Sequence, residues 1–239
     1  MTPQVHVSAH THIGAVRQLN EDNFLASDPV FIVADGVGGH LHGERASAAA
    51  IDVFRECFPA GSQPTSEAVR LAISEANSRV RALSSANDSG TAVAGTTLAG
   101  VVRVVDPDKG EGWLVLNVGD SRVYAVQDGA LVQLTTDHSA VQELVDAGLI
   151  TQEQANTHPD RNIITRALGS DETVDADIEL WPVREGMSFL VCTDGLTREL
   201  TDEQIARFLS SGSDDPAAQL VTAAVAAGGH DNVTVIVVR

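Results

Sequence analysis

Only two cysteines, Cys57 and Cys192, occur among the 239 residues, which excludes a disulfide framework. Cys57 is expected to pack on a helix and Cys192 to be a small buried apolar residue in a strand. Basic residues are also scarce: Lys and Arg number 15 against 33 Asp and Glu, for a formal net charge of -18. Such a surface repels phosphate backbones and anionic lipid, so neither nucleic acid nor a membrane surface is expected as a partner. No apolar run reaches the roughly 18 residues that a membrane span requires. Met1 to His6 carry neither a basic segment nor an apolar stretch, so no secretion signal is visible. A reduced, soluble, cytoplasmic protein is expected. Pro-rich or Gly/Ser-rich linkers, fixed-period repeats and low-complexity tracts are all missing, which favours one compact domain over residues 1–239.

The hydrophobic fraction of 43% is enough for a sizeable core. Runs rich in Val and Ile predict strands at Phe31 to Ala34, Leu98 to Val105, Trp113 to Val118, Arg122 to Val126, Leu131 to Leu134, Ile178 to Trp181, Ser188 to Cys192 and Val233 to Val238. Asp128-Gly129 reads as a hairpin turn. Helical spacing of Val69, Ala72, Ile73, Ala76, Val80 and Leu83 follows Thr65 and Ser66, either of which can cap it. Thr151 with Gln154 and Thr201 with Gln204 have capping-box spacing, and Asp215-Pro216 opens a last helix that Gly228 can close. Helices in blocks and strands joined by short turns point to mostly antiparallel sheet with helices packed on it. Residues 137–165 hold short amphipathic pieces and a polar segment. They read either as a flap inserted between strands or as an ordinary long connection.

The informative pattern is an apolar run that ends in aspartate beside glycine. Phe31 to Ala34 leads to Asp35-Gly36, Leu190 to Thr193 leads to Asp194-Gly195, and Leu114 to Val118 leads through Gly119 to Asp120. Gly228-Gly229-His230 precedes Asp231-Asn232 and the final strand. Any one instance is satisfied by turn chemistry. Together they set acids at the ends of core elements, where unpaired carboxylates would repel and raise one another's pKa. Arginine or a bound cation can resolve that conflict. Few basic residues flank the motifs, so a hard divalent cation, Mg²⁺ or Mn²⁺ on oxygen ligands, is the simpler answer. Upstream, Arg17 precedes Glu21 and Asp22. A guanidinium suits a bidentate grip on phosphate, and the acids suit a metal or its waters; a surface salt bridge is the plainer reading.

The ordered set Arg17…Asn20-Glu21-Asp22, Ala34-Asp35-Gly36-Val37-Gly38-Gly39-His40 with Gly43-Glu44, and Gly95-Thr96-Thr97 continues through Val118-Gly119-Asp120-Ser121-Arg122, Thr136-Asp137-His138-Ser139 and Asn162 to Gly169. It ends with Thr193-Asp194-Gly195-Leu196 and Asp231-Asn232-Val233-Thr234. This set resembles the metal-dependent type 2C serine/threonine protein phosphatases (PPM type), in their short bacterial form, from about Val7 to Val238. The resemblance implies an α+β fold, a four-layer αββα sandwich of antiparallel sheets flanked by helices, with a flap insertion. It implies two Mn²⁺ or Mg²⁺ ions bridged by Asp35, the first completed by Asp194 and Asp231. The second would take the Gly36 carbonyl, with Glu21 and Asp22 direct or through water. Asp120, with Asp194, matches the acid that holds a third, weaker metal. Arg17 would bind the substrate phosphate. A hydroxide bridging the metals would attack phosphoserine or phosphothreonine in line, on substrates made by a serine/threonine kinase of the same cell. Apart from the resemblance, a monomer is expected.

One departure stands out: Val37 occupies a position where many eukaryotic members have a histidine thought to protonate the leaving group. His40 nearby is one substitute and a metal-bound water another. The competing readings are a phosphatase for a phosphorylated transcription regulator or other phosphoester, and a catalytically weak adaptor of the same fold. A calcium-binding domain lacks the closely spaced acidic loop it would need.

Overall fold

The computed structural model describes residues 5–37, 41–85, 94–107, 110–127, 130–184 and 186–239. In chain order the elements are β1 (Val7–His12), β2 (Asp22–Ser27), β3 (Val30–Val37), α1 (Leu41–Cys57), α2 (Ser66–Ser85), β4 (Gly95–Thr96), β5 (Leu98–Asp106) and β6 (Gly110–Val118). They continue with β7 (Arg122–Gln127), β8 (Ala130–Gln133), α3 (Ala140–Asp146), α4 (Gln152–Ala155), β9 (Asp177–Pro182) and β10 (Ser188–Cys192). The last are α5 (Asp194–Thr197), α6 (Asp202–Leu209), α7 (Pro216–Ala227) and β11 (Val233–Val238).

The strands form two sheets, ordered β1-β11-β10-β7-β8 and β2-β3-β5-β6-β9, with β4 added to β3. Neighbouring strands run antiparallel. Alternation within strands sorts the core into three layers. Phe31, Val33, Ala99, Val101 and Val115 of one sheet meet Val123, Phe189, Val191 and Ile236 of the other between the sheets. Trp113 lies there with its ring centroid 5.3 Å from that of Phe189. The alternate residues Ile32, Val102, Leu114 and Leu116 face outward onto α1 and α2. On the opposite side Leu190, Cys192, Val235 and Val237 pack beneath α6 and α7. The expected helix-sheet-sheet-helix layering is therefore present.

The predicted strands all form, and both capping boxes close. Thr65, not Ser66, caps α2, its hydroxyl accepting from the Ala68 N–H at 3.2 Å. Three features differ from expectation. The strands β1, β2 and β4 and the helix α1 form where the sequence shows no clean periodicity. Cys57 ends α1 exposed rather than packed on a helix, whereas Cys192 is buried, its thiol pushed up to about 12 by burial. And Asp194-Gly195 is not a plain turn, because α5 begins on Asp194 itself. Asp128-Gly129 lies outside the described residues.

Residues between β8 and β9 carry α3 and α4 and are tied at their neck. The Ala140 N–H donates to Ile163 O at 2.9 Å and the Thr165 N–H to His138 O at 2.8 Å. His138 joins this neck to the β6–β7 turn: its Nδ1 accepts from the Gly119 N–H at 3.1 Å, and its own N–H donates to Gly119 O at 2.9 Å. Asp137 forms a bidentate pair with Arg122 of β7, at 2.8 and 2.6 Å.

Candidate active site

The acids gather where the strands of both sheets end. Asp22 opens β2 directly opposite Asp35 of β3. Asp120 follows β6, Asp194 follows β10, and Asp231 precedes β11. The backbone of Asp35 is fixed by the Gly95-Thr96-Thr97 motif: its N–H donates to Thr97 Oγ1 at 2.9 Å and its carbonyl accepts from Thr96 Oγ1 at 2.9 Å. Thr97 Oγ1 also lies 2.8 Å from Ser121 Oγ, which links the Asp35 and Asp120 segments.

Close backbone approach sets the other positions. A Cβ on Gly195 would overlap the Asn232 carbonyl oxygen, so glycine lets Asp194 pack against the Asp231 segment. A Cβ on Gly43 would collide with Glu21 Oε1 and sit 2.8 Å from the Gly36 carbonyl oxygen. Those two oxygens thus face one gap that only glycine leaves open. Asn232 ties the strands of the rim together, its Nδ2 donating to Ile13 O and Leu19 O and its Oδ1 accepting from the Glu21 N–H, each at 2.9 Å.

Asp22 is buried, and its Oδ2 accepts from Thr193 Oγ1 at 2.8 Å and Thr234 Oγ1 at 2.7 Å. Thr193 thereby forgoes the side-chain cap of α5. Asp22 Oδ1 and Asp194 Oδ1 are buried and find no hydrogen-bond partner among the described residues. Such orphaned acceptors are costly unless something cationic meets them. Burial first, and repulsion from neighbouring acids with it, raises the carboxyls of Asp22, Asp35, Asp120 and Asp194. Asp194 is pushed up to about 6, Asp22 to about 7 and Asp120 to about 8, while Asp35 lies well above the usual range. The hydroxyls of Thr234 and Thr193 pull Asp22 back in part, and Arg198 does so for Asp120 and Asp194.

Two guanidiniums enter this hollow. Arg17 Nη2 donates to Asp231 Oδ2 at 2.8 Å from a half-exposed position on the rim. Arg198 donates to the same oxygen at 3.2 Å through Nη1 and pairs with Asp194 Oδ2 through Nη2. Arg198 corrects the expectation that few basic residues flank the acid motifs. Its signal is its place four residues after Asp194, visible only once α5 is known to be helical. Thr193 and Thr234 were likewise unrecognised as partners of Asp22.

Among the described residues, no group of three or more His, Cys, Asp or Glu side chains is drawn together closely enough to hold a metal ion. The acids lie near one another, but Arg198 stands between Asp194 and Asp231, and Arg17 pairs with Asp231 from the rim. The donor set still fits hard divalent cations: it is all oxygen, it is mutually repulsive, and two of its buried oxygens lack partners. Arg17, Glu21, Asp22, Asp35, Gly36, Asp120, Asp194 and Asp231 all line or rim this region. His40 lies outside the described residues.

The family model for protein phosphatase 2C matches residues 9–226. The serine/threonine phosphatase Stp of Listeria monocytogenes serovar 1/2a is 35% identical over 247 residues, covering 98% of this chain and 96% of that protein. The crystal structure of the Mycobacterium tuberculosis serine/threonine phosphatase PstP/Ppp matches with a TM-score of 0.89 at 34% identity, over 98% of this chain and 97% of that one. The catalytic domain of PstP in complex with 2 manganese ions matches with a TM-score of 0.83 at 32% identity, over 98% and 97% of the two chains.

Proposed function

The chain belongs to the protein phosphatase 2C family and is a metal-dependent serine/threonine protein phosphatase, and on that premise we propose how its own residues divide the work. Asp35, Asp194, Asp231, the Gly36 carbonyl, Glu21 and Asp22 would together hold two Mn²⁺ or Mg²⁺ ions, and Asp120 with Asp194 would hold a further, weaker one. Bound cations of this kind activate water and neutralise phosphate charge. The observation that carries this assignment is the pair of buried, partnerless oxygens, Asp22 Oδ1 and Asp194 Oδ1, in a hollow whose acids repel one another.

Around that centre the protein supplies orientation. Thr193 and Thr234 hold Asp22 Oδ2, which leaves the buried Oδ1 without a hydrogen-bond partner among the described residues. Thr97 locks the Asp35 backbone, so this carboxylate is placed before substrate arrives. Arg17, on the rim, exchanges its contact with Asp231 for oxygens of the substrate phosphate and steadies the charge that grows on them.

We also propose that the described residues form one catalytic domain, with 137–165 as a flap beside the site. In this reading the chain works as a monomer in the cytoplasm on products of a serine/threonine kinase of the same cell. The shared core between the sheets supports the single domain. The deciding experiment is phosphate release from a phosphothreonine peptide by metal-stripped protein, before and after Mn²⁺ or Mg²⁺ is restored. Activity that returns with metal, and that Asp194→Asn abolishes without unfolding the chain, is expected. Turnover that survives thorough chelation refutes the assignment.

A further inference from the structure

Arg198 has no place in the division of labour above, yet it occupies the centre of the acid cluster. Its position is fixed from below: the Arg198 N–H donates to Asp194 O at 2.9 Å, closing α5, so the side chain rises one helical turn beyond Asp194. From there Nη2 reaches Asp194 Oδ2 and Nη1 reaches Asp231 Oδ2. The side chain is 32% exposed, whereas those of Asp194 and Asp231 are 11% and 15% exposed. The guanidinium therefore joins a carboxylate after β10 to one before β11 across the mouth of the hollow. Asp120 and Asp35 add to the field that keeps it charged.

A dication and a guanidinium N–H cannot both occupy the same face of the same carboxylate oxygens. We propose that Arg198 is an internal competitor for the divalent cation shared by Asp194 and Asp231, displaced on metal loading, so that this chain binds Mn²⁺ more weakly than its acids alone would. The physical reason is linkage. A guanidinium paired to both acids stabilises the metal-stripped state, and whatever stabilises that state is subtracted from the metal's affinity. Arginine suits the part, since it stays charged at any working pH and its fork reaches two carboxylates at once. It also keeps the buried acids from standing unpaired when metal is scarce. Arg17 shares Asp231 Oδ2 but is half exposed and pairs with no second acid among the described residues, so Arg198 is the stronger competitor.

The inference rests on Asp194 and Asp231 being metal ligands, and the test separates the two claims. Metal-stripped protein is titrated with Mn²⁺ while the free ion is followed by electron paramagnetic resonance, and the thermal midpoint is recorded with and without metal. Arg198→Ala should bind Mn²⁺ about tenfold more tightly than the parent chain. It should also melt earlier when stripped, so that its gain on metal loading is larger. Arg198→Gln, which keeps most of the side chain but not the charge, carries the same two outcomes where the alanine variant does not fold. Unchanged or weaker Mn²⁺ binding in the neutral variant overturns the competitor role. Undiminished Mn²⁺ binding by Asp194→Asn would instead overturn the ligand assignment beneath it.

Discussion

Asp22 Oδ2 accepts a hydrogen bond from Thr234 Oγ1 at 2.7 Å, joining the first residue of β2 in one sheet to β11 in the other. Thr193, just after β10, donates to the same oxygen at 2.8 Å. The sheets are thus pinned at the end where the acids collect, by a carboxylate whose second oxygen is buried without a hydrogen-bond partner among the described residues. Asp22→Ala strips two buried hydroxyls of their acceptor. It should lower the unfolding free energy of the metal-stripped chain by about 2–4 kcal/mol in denaturant titration. Asp22→Asn keeps an acceptor and removes a repelling charge, so its loss should be smaller.

The raised carboxyls have a consequence for pH. Asp194, Asp22 and Asp120 release their protons near 6, 7 and 8 in the folded chain, against an ordinary value of 3.8. Between those limits the folded state holds protons that the unfolded state has lost. Their contribution to stability is therefore complete below about 3.8 and disappears as the pH climbs through 6 to 8. Metal-stripped protein should melt at a lower temperature at pH 8.5 than at pH 5.5, roughly spanning that window. Mn²⁺ binds the ionised acids and should remove or reverse the slope. Exposed Asp215, held low by the Ser8 hydroxyl, acts only at more acid pH.

Arg17 touches a metal-ligand candidate but stands on the rim, half exposed. Its loss should weaken substrate binding more than it slows chemistry. Arg17→Ala is expected to raise KM for a phosphothreonine peptide by about 10- to 100-fold with a smaller fall in kcat, the size of a charge-assisted hydrogen bond. An unchanged KM would remove Arg17 from phosphate binding.

Much of this was legible in the chain because burial and chemistry write locally. Phe31 to Ala34 and Leu190 to Cys192 are apolar runs that end on acids, and the runs became β3 and β10. The capping boxes at Thr151 and Thr201 needed only residues three apart. The strand β2 was hidden, since Asp22, Asn23 and Ser27 have little strand preference and its extended form comes from pairing with β3. α1 was obscured by His42 and Gly43 in its first turn. Arg198 was hidden for a different reason: its partners depend on a one-turn helix that starts where the sequence reads as a turn, and on β11 bringing Asp231 alongside.

The central claim is that acids from both sheets jointly bind divalent cations, with Asp35 common to them. Calorimetric titration of metal-stripped Asp35→Asn with Mn²⁺, beside the parent chain, tests it most directly. The account requires the parent to bind at least two ions, as a two-metal site must, and the variant to lose the tight ones while keeping its fold. Equal stoichiometry and affinity in the two proteins would contradict it.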